Sequence, residues 1–237
     1  MTQWSLIQRL FQYTLNLLYP PQCASCDKLG SHFCDDCRAN LAHLRSPICQ
    51  KCGHPLTNLG SDCNACPTFS LSNLNLVRSV AFFDETYLQP AIHKFKYHNQ
   101  RVLTQDFANL LKDCYDASQL ATDIIVPVPL HRSRYKERGY NQSTLLAKGL
   151  SSLIDQSVDE VTLVRRRATK TQTSLNPTER QQNVRDAFAC LSDALSYKTV
   201  LLIDDVFTTG ATMNACGQAL RQAGVASIYG LTLARAR

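Results

Sequence analysis

Apolar positions divide the chain into segments of different period. From residue 2 to 18, Trp4, Ile7, Leu10, Phe11, Leu15 and Leu18 fall near one helical face, which Leu6, Tyr13 and Leu17 widen. Arg9 is the only charge there and Pro20-Pro21 ends the pattern, so residues 1–22 are predicted to be an N-terminal amphipathic helix. Such a helix packs on its own protein or a partner, or associates peripherally with a membrane. The scarcity of Lys and Arg argues against a strong membrane anchor. Residues 67–74 read as a linker. Residues 75–83 alternate as a strand, and Tyr87–Lys96 is helical with Ile92 and Phe95 inward. Phe107, Leu110 and Leu111 mark another helix, with Thr104 expected as its cap. Apolar runs at 123–128, 161–164, 200–203 and 226–233 read as strands, and helical patterns occupy 143–150, the stretch from Pro177, and 213–223. Strands alternating with helices predict an α/β domain over residues 75–237, a mostly parallel twisted sheet with helices on both faces.

Cysteine spacing adds a module in front of that domain. Eight of the eleven cysteines form four C-x-x-C pairs before residue 67. Cys23, Cys26, Cys34 and Cys37 are two pairs separated by residues 27–33; Cys49, Cys52, Cys63 and Cys66 are two more, separated by residues 53–62. Each pair turns two thiolates toward one point, and two pairs complete a tetrahedral Zn–S₄ site. Two zincs are expected over residues 23–70. The short intervening loops favour sequential pairing, and cross-brace pairing, first pair with third, is the alternative. With four cysteines per ion no coordination position stays open, so both zincs are expected to be structural, and in so short a stretch they supply the folding energy. His32, His43 and His54 lie nearby as surface residues. Cys114, Cys190 and Cys216 sit in predicted elements as core thiols.

Composition narrows the setting. The chain has 237 residues, a net charge of +6 and 44% hydrophobic residues. A basic balance suits an anionic partner such as pyrophosphate, a nucleotide or nucleic acid. No secretory signal pattern is present, and no apolar run approaches the ~18 residues of a membrane span. Metal-binding thiols in a reducing compartment predict a cytoplasmic protein, with the N-terminal helix as the only candidate for contact with the inner face of the membrane.

The most informative stretch is Val200-Leu-Leu-Ile-Asp-Asp-Val-Phe-Thr-Thr-Gly-Ala-Thr212. A strand buried on both faces ends in two acids, then a Thr/Gly loop opens a helix. Loop N–H groups, the helix dipole and the hydroxyls of Thr208, Thr209 and Thr212 can converge on one phosphate, and Gly210 permits close approach or positive φ. Asp204 and Asp205 would meet the adjoining part of the ligand, where a sugar diol or hydrated Mg²⁺ suits them. No Gly-Lys-Ser/Thr follows, so this is not the P-loop of nucleotide triphosphatases. A second loop, Pro129–Gln142, carries Arg132, Arg134, Lys136 and Arg138 within seven positions. It follows a strand, which puts its cations at the sheet edge where open α/β sheets bind ligands. Asn141 is expected to open the next helix. Arg165-Arg166-Arg167 leads into a polar stretch reaching Pro177, too polar to pack. No Ser/His/Asp or Cys/His catalytic arrangement is legible.

The segment Val200–Thr212 resembles the phosphoribosyl-pyrophosphate (PRPP) signature of type I phosphoribosyltransferases. With Pro127-x-Pro129, Arg138-Gly139-Tyr140-Asn141-Gln142 and the four C-x-x-C pairs, the whole chain resembles the competence protein F (ComF) family. The resemblance implies that Thr208, Thr209, Gly210, Ala211 and Thr212 cradle the ribose 5′-phosphate. Asp204 and Asp205 would contact the ribose hydroxyls, and Arg132 and Arg138 the pyrophosphate. The residues assigned to catalysis are Asp204, Asp205 and Arg138, with Mg²⁺ accompanying PRPP. The polar stretch with Thr171, Gln172, Leu175, Arg180 and Asn183 corresponds to a flexible loop closing over PRPP. Two functions follow: a phosphoribosyltransferase of unknown acceptor acting in DNA uptake, or a non-catalytic competence factor that binds single-stranded DNA through basic loops interleaved with Tyr135 and Tyr140. Other DNA-uptake proteins are expected partners in either case.

Overall fold

A computed structural model describes residues 20–44, 46–58, 61–69, 71–84, 86–167 and 186–237. The helix expected at residues 2–18, and the loop and helix expected between 168 and 185, lie outside the described residues, as do Thr171, Gln172, Leu175, Arg180 and Asn183.

Four strands form one parallel sheet: β1 (Leu76–Phe82), β2 (Ile124–Pro127), β5 (Thr199–Phe207) and β6 (Ser227–Arg235), in the order β1-β6-β5-β2. Alternate residues of β5 feed opposite layers. Leu201 and Ile203 join the core under helices α2 (Leu88–Tyr97), α3 (Thr104–Ala117) and α5 (Gln142–Ile154). Val200 and Leu202 join the core under α6 (Ala211–Gln222). All four side chains are fully buried, as the uninterrupted apolar run predicts for a parallel strand covered on both faces. Pro127 closes β2 at the described edge of the sheet, where one missing ladder donor is tolerated.

Several expectations change. The run Val161–Val164 contributes only β3 (Leu163–Arg165), which pairs antiparallel with β4 (Phe188–Cys190) in a separate ribbon. Val161 itself is exposed. The 129–142 segment is not simply a loop: it holds a short helix, α4 (Arg132–Arg138). His131 caps it by accepting the Ser133 N–H at 3.2 Å, and Gly139 ends it in the left-handed region at φ +79°. Thr104 does not cap α3; its hydroxyl donates backward to the Arg101 carbonyl at 2.6 Å. Asn141 does open α5, its side-chain oxygen accepting the Ser143 N–H.

The cysteine-bearing segment, which includes helix α1 (Asp35–Ala39), lies along the outer edge of β1. Backbone bonds run from Leu44 N–H to Val80 O, from Val77 N–H to Lys51 O and from Phe82 N–H to Ala42 O. An edge strand that would otherwise expose a row of donors and acceptors is thereby covered.

Candidate active site and metal centres

The eight paired cysteines gather into two groups, Cys23/Cys26/Cys34/Cys37 and Cys49/Cys52/Cys63/Cys66, each with ligand atoms within 4.8 Å of one another. Pairing is therefore sequential. Sulfur–sulfur separations are 3.8 Å (Cys23–Cys37) and 3.6 Å (Cys26–Cys34) in the first group, and 3.4 Å for both Cys49–Cys66 and Cys52–Cys63 in the second. A tetrahedral ion with Zn–S bonds of about 2.3 Å requires sulfurs roughly 3.8 Å apart, so both groups fit zinc closely. Their acidity fits as well. Burial works to raise the Cys23 thiol, but backbone N–H groups of Cys26, Cys34 and Ser25 outweigh it and bring Cys23 down to about 6. Burial and the neighbouring thiols push Cys37 and Cys66 up, an effect that a cation at the centre of each set would oppose. Gly53, just after Cys52, adopts φ +70°, and a Cβ there would lie 2.9 Å from the Val77 carbonyl oxygen. The histidines contribute no ligand to either group: His32, His43 and His54 are half-buried beside the clusters rather than fully at the surface.

At the carboxyl end of the sheet a cleft of about 260 Å³ opens. The C-terminal part of β5 supplies its acids and the turn into α6 supplies Thr208, Gly210 and Thr212. Gly210 is the N-cap of α6 at φ +77°, the conformation that let glycine be anticipated here. Thr209 Oγ1 accepts the Ala211 N–H at 3.4 Å, which holds the turn against the helix start.

The two acids have different surroundings. Asp205 is 4% exposed and forms an ion pair with Lys96 from the end of α2. Burial pushes its carboxyl upward, but the Lys96 ammonium prevails and holds it below the usual range. Asp204 Oδ1 accepts the Ser143 hydroxyl and the Asp205 N–H, each at 2.9 Å. Burial, and then the Asp205 charge, raise Asp204 to about 7. One carboxylate is thus ionised at neutral pH while its neighbour titrates there.

Cations face the acids across the cleft. Arg138 donates to Gln142 Oε1 at 2.5 Å and lies 4.9 Å above the Tyr97 ring. Arg134 and Arg165 complete the basic side. Of the expected ligand residues, Asp204, Asp205, Thr208, Gly210, Thr212 and Arg138 line the cleft, with Thr209 and Ala211 in the same turn. Arg132 does not line it and is exposed. The reason is helical phase: in α4, residues 134 and 138 are four apart and share the cleft face, and residue 132 is rotated away. Tyr140, expected as a stacking ring, is not at the surface. It is buried, its hydroxyl donates to the Phe95 carbonyl and Arg101 covers its ring, so it offers no stacking surface. Lys96, Ser143 and Arg165 were not anticipated as site residues. Lys96 had no local signal, because its partner lies more than a hundred positions downstream.

Comparison with known proteins agrees with this layout. Residues 14–67 match the double zinc ribbon domain family, and residues 97–237 match the phosphoribosyl transferase domain family. Competence protein F of Haemophilus influenzae is 33% identical over 86% of this chain and 90% of its own length. DNA utilization protein YhgH of Escherichia coli K12 is 32% identical over 79% of this chain and 84% of that protein. Competence protein ComFC of Streptococcus pneumoniae is 25% identical over 86% and 88%. The order of the two matched domains and the near full-length similarity lead to one conclusion: the chain belongs to the competence protein F family, in which a double zinc ribbon precedes a domain of the phosphoribosyltransferase fold.

Proposed function

We propose that this protein binds PRPP in the β5–α6 cleft and transfers its phosphoribosyl group to a nitrogen acceptor during the handling of incoming DNA. The observation that carries this reading is the junction of two adjacent carboxylates, Asp204 held by Ser143 and Asp205 by Lys96, with a glycine-capped helix N-terminus, faced by Arg134, Arg138 and Arg165. The turn 208–212 would hold the 5′-phosphate through backbone N–H groups and hydroxyls. Asp204 and Asp205 would accept from the ribose diol. Arg134 and Arg138 would stabilise negative charge developing on the pyrophosphate as the bond to the anomeric carbon breaks. Mg²⁺ carried with PRPP would neutralise charge on the leaving group; as a hard ion it takes oxygen donors, which the two carboxylates provide. The names of the relatives, competence and DNA utilization proteins, support a role in DNA uptake. Metal-binding thiols support a cytoplasmic setting. Among the described residues no helix is long and apolar enough to cross a membrane.

Titration calorimetry with PRPP and Mg²⁺ tests the reading. Wild type is expected to bind, and the double variant Asp204→Asn/Asp205→Asn to lose binding; equal binding by both would refute it. Pyrophosphate release that requires PRPP would then establish turnover.

A second reading, binding of single-stranded DNA on the same scaffold without turnover, is favoured by the exposure of Tyr97 and Tyr135 beside the cations of α4. Aromatic faces among cations suit stacked bases. It predicts DNA affinity that falls steeply with salt, and salt-insensitive or absent binding would remove it.

A further inference from the structure

Arg235, the last residue of β6, has no exposed surface. A guanidinium so placed is costly unless an opposite charge compensates it. Among the described residues no carboxylate forms an ion pair with Arg235. Its Nη1 donates to the Cys52 carbonyl at 2.5 Å, while Nε and Nη2 are buried with no hydrogen-bond partner. The rings of Phe69 and Phe207 lie 4.8 and 5.7 Å from its centre, which gives it aromatic faces but no anion. Burial works to strip its proton, and Cys52, then Cys63 and Cys49, act against that. Four thiolates around Zn²⁺ would carry a net charge of −2 and could supply such an anion.

The same arginine reaches the phosphate turn. Arg235 and Phe207 are register partners on adjacent strands, and the Ala236 N–H bonds to the Phe207 carbonyl at 2.8 Å. Phe207 immediately precedes Thr208. Its ring packs on Phe69 at 5.2 Å, and Phe69 closes the short helical turn that starts at the ligand Cys66. Ligands, arginine, two aromatic rings and phosphate turn therefore form one continuous stack.

We propose that Arg235 is the counter-charge of the second zinc centre and, through Phe207, a positioning residue for the phosphate turn, so that order in residues 208–213 depends on zinc at Cys49/Cys52/Cys63/Cys66. The inference uses the proposed cleft only for the identity of the turn. When that zinc leaves, the arginine loses its compensating anion and the Phe69–Phe207 stack loses its base, while the first centre, in the opposite core layer, has no such link.

The test uses the full-length, zinc-loaded protein and no phosphoribosyl ligand. A chromogenic chelator follows zinc release, alkylation with peptide mapping identifies the freed cysteines, and hydrogen exchange follows the peptide covering residues 208–213. In wild type, protection of that peptide is expected to fall in step with alkylation of Cys63 and Cys66; protection that persists after those thiols are alkylated would overturn the coupling. In Arg235→Met, release from the second centre is expected to be about tenfold or more faster, the range seen when metal-site outer partners are lost, with the first centre unchanged. An unchanged rate would overturn the counter-charge role. Should Arg235→Met not fold, Arg235→Gln replaces it: it keeps a donor for the Cys52 carbonyl but carries no charge. Its second centre is expected to release about tenfold or more faster, and wild-type kinetics there would equally overturn the role. A wild type that fails to bind PRPP would refute the proposed function and leave these outcomes readable.

Discussion

Asp204 and Asp205 are adjacent in the chain, yet they face different partners because successive strand residues point to opposite sides. Lys96 pairs directly with Asp205, and the Ser143 hydroxyl donates to Asp204. The consequences for pH have opposite signs. Asp204 keeps its proton to about 7 in the folded protein, whereas the unfolded chain releases it near 3.8, so its contribution to stability declines as pH rises between those values. Asp205 is held below its usual value, so its contribution is present above 3.8 and is lost as pH falls below that. For the ligand, an ionised carboxylate accepts a diol hydroxyl more strongly than a neutral acid does. PRPP affinity is therefore expected to rise from pH 6 to pH 8, and calorimetry at each pH should show that rise flattened in Asp204→Asn. Replacing Lys96 by Met leaves the Asp205 carboxylate buried and unpaired. It should cost about 3 kcal/mol, measured by denaturant unfolding near neutral pH; a variant as stable as wild type would show that the ion pair contributes nothing.

Elements decide which of several equivalent-looking residues reach the ligand. The four cations of the 132–138 stretch are indistinguishable as a charge cluster. Folding that stretch into α4, capped by His131 and ended by Gly139, sorts them: Arg134 and Arg138 line the cleft, and Arg132 does not. Arg134→Ala and Arg138→Ala are each expected to weaken PRPP binding about tenfold or more, the loss of one charge-assisted hydrogen bond, while Arg132→Ala stays within about twofold. The reverse ranking would mean that α4 is turned otherwise when ligand is present. The turn between β5 and α6 behaves differently. Strand, acids, Thr/Gly run and helix start are contiguous, so their local conformation is readable residue by residue, down to the positive φ of Gly210. The 161–164 run was misjudged for the opposite reason. A short apolar run does not say which strand it will pair with, and β4 supplied an antiparallel partner more than twenty residues away.

For the whole molecule, the cysteine groups are built into the sheet's surroundings. Cys23, Cys34 and Cys37 join the core layer beneath α2 and α3, and Cys49 and Cys52 join the layer beneath α6. Elemental analysis should find about two zinc ions per chain. Stripping both with a strong chelator should lower the melting temperature by on the order of 10 °C, because β1 loses the backbone cover of its edge together with two metal cross-links. An unchanged melting temperature would show that the sheet stands without the ribbon.

The sequence carries one kind of information, and the assembled fold another. Ligand spacing and the contiguous run of strand, acids, Thr/Gly turn and helix start are local: C-x-x-C turns its own thiolates inward, and a Thr/Gly turn after a buried strand opens its own helix. Both could be read from neighbouring letters, as could the alternation of strand and helix. Lys96 opposite Asp205, the burial of Tyr140 and the fully enclosed Arg235 arise from contacts between distant segments. Chain order does not encode which helix face turns inward or which strand closes beside which, because those choices minimise the exposed apolar surface of the assembled layers rather than of any one segment.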